Sequence, residues 1–112
     1  MNKNASFQEL IETTRRVINK FKKKEQRSWG SEVMVVELTK QVGELAKHVL
    51  TFEKYYIKRR SKENYYKTSK KQIADELADI LYSLIRIADF YNIDLEKAHL
   101  KARKEEINYL KK

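Results

Sequence analysis

Between Ile73 and Ala88 the apolar residues are Ile73, Ala74, Leu77, Ala78, Ile80, Leu81, Leu84, Ile85, Ile87 and Ala88. Their spacing is helical and they cover most of a helix circumference. Such a helix has to be central to a bundle or covered at an interface. Yet Glu76 and Asp79 interrupt it, one turn apart. At i±3 and i±4, Asp79 meets Asp75, Glu76, Tyr82 and Ser83, and Glu76 meets Gln72, Ile73, Asp79 and Ile80. No cation stands at any of those positions. Like charges at this spacing cost a few tenths of a kcal/mol, and burying them costs far more unless something neutralises them. One turn apart, the two carboxylates can converge on a single point off the helix surface. A hard divalent cation fits that point; a salt bridge to a Lys or Arg of another helix is the alternative. Asp75 differs, because Lys71 four residues earlier makes it a surface acid.

The rest of the chain reads as helix too. It has no Pro and only two Gly among 112 residues, with 37% charged, which suits long helices. Ser6 with Glu9 forms a capping box, and Phe7, Leu10, Ile11, Thr14, Val17, Ile18 and Phe21 follow at helical spacing. The segment KFKKKEQRSWGS ends that helix. A second helix is predicted from near Ser31 to about Tyr56 or beyond, with the stripe Val35, Leu38, Val42, Leu45, Val49 and Phe52 turned inward. KRRSKENYYKTS connects it, as loop or frayed helix, to a third helix. Ser69 with Gln72 caps that helix, which runs to about Tyr91. YNID breaks it, and Asp94 caps a fourth helix that reaches the end. The expectation is an all-α fold: one domain over residues 1–112, a four-helix bundle completed by homo-oligomerisation, because so small a chain buries only a modest core. The chain has no Cys, so a reducing, cytoplasmic setting is expected. The N-terminus has no apolar signal core, and no run approaches a membrane span.

The net charge is +9. Part of it is concentrated in Lys54, Lys58, Arg59, Arg60, Lys62, Lys67, Lys70 and Lys71, a patch that attracts phosphates of nucleotides or nucleic acid. The alternative is a solvated surface. On the second helix Glu37, Gln41, Glu44 and His48 share one face. Lys40 and Lys47 lie within helical reach of Glu44, so ordinary ion pairing also accounts for it. His48 by itself reads as a surface or edge residue, and His is not a favoured Mg²⁺ ligand.

LTKQVGELAKHVL followed by ELADILYSLIRIADFYNIDLEKA resembles the MazG family of all-α nucleoside triphosphate pyrophosphohydrolases, over roughly residues 25–110. The resemblance implies a helical bundle completed as a homodimer or homotetramer. It also implies Mg²⁺ held by an E-x-x-E on one helix and an E-x-x-D on the next, and cleavage of a nucleoside triphosphate to the monophosphate and pyrophosphate. Carried over, Glu44 matches the second acid of the first motif, and Glu76 and Asp79 match the second motif. These three are the metal ligands the resemblance implies. Gln41 stands where the first acid should be, a departure that offers a neutral carbonyl in place of a charge. Trp29 occupies the place of a Trp that precedes the first motif in relatives. Lys101, Lys104 and Asn108 are substrate-binding candidates on the last helix, and Lys47 is one on the second. A chain that keeps this bundle and has lost turnover would instead be a binding module for nucleotide, nucleic acid or protein. Lys-rich segments interleaved with Tyr55, Tyr56, Tyr65 and Tyr66 would then grip single strands.

Overall fold

The computed structural model describes residues 4–112. Among them the fold is all-α, with no strand. The helices are α1 (Phe7–Lys22), α2 (Ser31–Phe52), α3 (Lys70–Phe90) and α4 (Leu95–Leu110). Among the described residues, no helix is long and apolar enough to cross a membrane.

Local chemistry explains where α1, α3 and α4 begin. The Ser6 hydroxyl accepts from the Glu9 amide at 3.2 Å, Ser69 from the Gln72 amide at 3.3 Å and Asp94 from the Lys97 amide at 3.0 Å. Each side chain satisfies one amide that the first turn leaves without a helical acceptor. The second helix stops at Phe52, short of the expected Tyr56. Lys54 adopts the left-handed region, at φ 63°. Its amide donates to the Thr51 carbonyl, and the Tyr55 amide donates to the Leu50 carbonyl, both at 3.0 Å. That is a Schellman ending, which no glycine announces here. Asn92, at φ 55°, ends α3 in the same way, with the Ile93 amide on the Ala88 carbonyl at 2.8 Å. The connector KRRSKENYYKTS folds into two short 3₁₀ turns, Lys58–Lys62 and Asn64–Tyr66.

The chain gathers into two compact units. One comprises Met1–Ser28 and Ile85–Lys112, so it holds α1, the last turns of α3, and α4. Its core contains Ile11, Ile18, Ile85 and Ala88, all buried. Arg86 is buried as well, and its guanidinium donates two bonds to Glu25, at 2.8 and 2.7 Å. Arg15 makes a second two-pronged pair with Asp89, at 2.9 and 2.8 Å.

The other unit, Trp29–Leu84, holds α2, the 3₁₀ turns and most of α3. Here the expected inward stripe is corrected. Val35, Val42 and Val49 are 51%, 48% and 39% exposed, and Phe52 is exposed too; Leu38 and Leu45 are half-buried. The line that turns inward starts one residue earlier and runs Met34, Leu38, Gln41, Leu45, His48, with Met34 and His48 buried. Two of those five side chains are polar. They are tolerated because the unit supplies partners for both: the Ser83 hydroxyl donates to the Gln41 carbonyl oxygen at 2.5 Å, and Thr68 bonds His48 at 2.9 Å.

Candidate metal centre

The inward line of α2 presents His48 one turn after Glu44, at i+4, so both side chains lie on one face. Glu76 approaches from α3. One ligand atom from each of Glu44, His48 and Glu76 lies within 4.8 Å of the others. His48 is buried, and Glu44 and Glu76 are half-buried. The His48 ring is held from behind: Nδ1 bonds the Thr68 hydroxyl at 2.9 Å. Its other nitrogen, Nε2, points at Glu76 Oε1 at 3.9 Å, too far for a hydrogen bond.

Two carboxylates so close together repel unless something positive joins them. Part of that charge comes from Lys47. Its ammonium stands 3.6 Å from Glu44 and 3.9 Å from the centre of the Tyr65 ring, a cation–π contact that draws the lysine from α2 over the connector. Lys40, the other cation within reach of Glu44, pairs with Glu37 instead, at 3.1 Å.

The structure brings Glu44 and Glu76 together. Asp79 is exposed on α3 and is not in the cluster. Gln41 lies half-buried on the same α2 face, its carbonyl oxygen already accepting from Ser83. Trp29 is half-buried just before Gly30, the N-cap of α2. Lys101, Lys104 and Asn108 are exposed on α4, in the other unit, and Lys101 reaches Glu105 at 4.0 Å.

Sequence reasoning took His48 for a surface or edge residue, which its burial against Thr68 corrects, and it did not single out Thr68. For His48 a signal existed: an acid and a His four residues apart on one helix, with an acid on the next. Thr68 gave none, because it lies in the connector 20 residues away and only the fold brings it to the ring.

Beside the cluster, the connector packs on itself. Tyr56 and Tyr66 stack edge to face with centres 5.0 Å apart. Arg60 donates to the Tyr66 hydroxyl at 3.0 Å and lies over both rings, 5.3 Å from the centre of Tyr66 and 6.0 Å from that of Tyr56. A pocket of about 370 Å³ opens there, lined by Thr51, Lys54, Tyr56, Ile57, Lys58, Ser61 and Tyr66.

Comparison with protein-family models, curated proteins and solved structures finds no match for this chain.

Proposed function

We propose that the protein is a divalent-metal-dependent nucleoside triphosphate pyrophosphohydrolase that works as a homodimer or homotetramer. One observation carries this reading. Glu44 and Glu76, the acids that the MazG resemblance marks on two different helices, meet within 4.8 Å of each other. Their carboxylates fit Mg²⁺, which takes hard oxygen donors and shares its coordination with phosphate. The third donor, the His48 nitrogen, does not fit Mg²⁺. When bound, a divalent cation supplies polarisation of a phosphate oxygen and a more acidic water.

The chain's own residues have these roles. Glu44 and Glu76 hold positive charge at the reacting phosphates. Gln41, tied to Ser83, sets the spacing of α2 and α3 rather than contributing a charge. Lys47 releases Glu44 as cation and substrate arrive, and its ammonium is then free to meet a phosphate. Lys58, Arg59 and Lys62 neutralise the triphosphate and the departing pyrophosphate. Trp29 offers a ring on which a base stacks. Water adds to the α-phosphorus, the bond to the bridging oxygen breaks, and the products are a nucleoside monophosphate and pyrophosphate.

The experiment is pyrophosphate release from a panel of nucleoside triphosphates, with and without divalent metal. A second reading, a binding module without turnover, draws on Gln41 and on Asp79 standing outside the cluster. For single-stranded nucleic acid it is weakened by the connector itself, because Tyr56, Tyr65 and Tyr66 are already engaged with Arg60, Lys47 and one another. Strongly salt-dependent oligonucleotide binding without pyrophosphate release would favour it.

A further inference from the structure

We propose that Glu44, His48 and Glu76 form a site selective for a first-row transition ion of the Mn²⁺ or Zn²⁺ class, with Thr68 fixing the ligating nitrogen of His48. This rests on reading the cluster as a metal centre and is independent of which reaction, if any, occurs there. Mg²⁺ takes oxygen donors, whereas imidazole suits Zn²⁺ and other transition ions. A site with two carboxylates and one imidazole therefore discriminates against Mg²⁺.

Two independent features of His48 support a ligand role. The residue is only 8% exposed, and its Nε2 aims into the cluster without a hydrogen bond, 3.9 Å from Glu76. The second feature is Thr68. Its hydroxyl lies 2.9 Å from Nδ1, and with Nδ1 donating, the lone pair is on Nε2, the nitrogen that faces Glu76. Metal-binding His residues are commonly held this way, by a partner on the other nitrogen. The donor spacing is also close to what an ion needs. Ligands about 2.1 Å from a tetrahedral ion stand roughly 3.4 Å apart, so atoms already within 4.8 Å need only small side-chain rotations. Two carboxylates balance the charge of one divalent ion, and three protein donors leave positions open for water or phosphate.

The test uses the full chain, stripped of metal and free of nucleotide, at fixed ionic strength. Mn²⁺ and Mg²⁺ binding are followed by calorimetry, and Zn²⁺ by competition with a chromophoric chelator. An all-oxygen site also favours Zn²⁺ over Mg²⁺ to some degree, so the decisive readouts concern the nitrogen. Pulsed electron paramagnetic resonance of the Mn²⁺-loaded wild type should show coupling to one directly bound ¹⁴N. His48→Gln should weaken Mn²⁺ and Zn²⁺ binding by at least about tenfold and change Mg²⁺ binding by less than about threefold. Thr68→Val should weaken Mn²⁺ binding by roughly ten- to a hundredfold, and Thr68→Ser should restore it. Absence of ¹⁴N coupling in the wild type overturns the proposal without any variant. So does a folded His48→Gln protein, checked by circular dichroism, that binds Mn²⁺ within about threefold of wild type. Metal binding with ¹⁴N coupling but no pyrophosphate release would leave this site standing and remove the hydrolase reading.

Discussion

Arg86 is 4% exposed, and a guanidinium so placed needs its counter-charge. Glu25 supplies it through two parallel hydrogen bonds at 2.7 and 2.8 Å, a geometry that only Arg offers a carboxylate. The side-chain bonds from Arg86 hold the Glu25 carboxyl below the ordinary carboxylate range, against the opposing effect of burial. Because the folded value is depressed, the stabilisation is fully present at neutral pH, above the unfolded value. It is lost as pH falls through the folded value. Glu25→Ala removes both of these bonds from a buried guanidinium and should destabilise the protein by about 3–5 kcal/mol at neutral pH. The deficit should shrink as the medium is acidified below the ordinary carboxylate range, because the wild type loses the same interaction there. Urea titrations of both proteins at several pH values check the size and the sign; a variant unaltered in stability at neutral pH would contradict the role given to the pair.

At the scale of the helix, two backbone positions make separable predictions. Gly43 sits inside α2, and an added methyl group there would meet nothing within 4 Å. Glycine in a helix interior costs about 1 kcal/mol relative to alanine, so Gly43→Ala should raise stability by roughly that amount. Lys54 holds a left-handed φ of 63° at the end of α2, where glycine carries no side-chain penalty. Lys54→Gly should stabilise by about 0.5–1 kcal/mol despite its larger unfolded-state entropy; a loss of stability in chemical denaturation would show that the lysine side chain holds the turn. Helix beginnings were legible in the sequence because capping is local: Ser6, Ser69 and Asp94 each bond an amide three residues on. The inward face of α2 was not. Val35, Val42 and Val49 are the more apolar line, yet the line one residue earlier turns inward because Ser83 and Thr68, both distant in sequence, satisfy Gln41 and His48. Glu44 and Glu76 were named as site candidates from the sequence, and the fold brings them together; the spacing of His48 from Glu44 was legible too, but its burial depends on Thr68, which only the fold supplies.

For the whole molecule, the apolar surface of the Trp29–Leu84 unit points to association. Val35, Val42 and Val49 repeat every seven residues along α2 at 51%, 48% and 39% exposure, and Leu77 and Leu84 repeat likewise along α3 at 53% and 40%. A seven-residue apolar repeat is the pattern of a helix face that packs against another helix. Sedimentation at micromolar concentration should give a dimer or larger, and Val42→Asp should shift it toward monomer; a wild-type chain that is a stable, folded monomer would contradict the assembly. Under the proposed function, the pairing of Glu44 with Glu76 places a cation against a nucleoside triphosphate. The most direct measurement of this is pyrophosphate release by the wild type and by Glu76→Gln, each saturated with Mn²⁺ and with Mg²⁺. The expected result is metal-dependent release by the wild type on at least one nucleotide, and a loss of at least a hundredfold, roughly 2.7 kcal/mol of transition-state stabilisation, in a Glu76→Gln protein that still folds. No release by the wild type on any nucleotide with either metal, or equal rates in the two proteins, would contradict it.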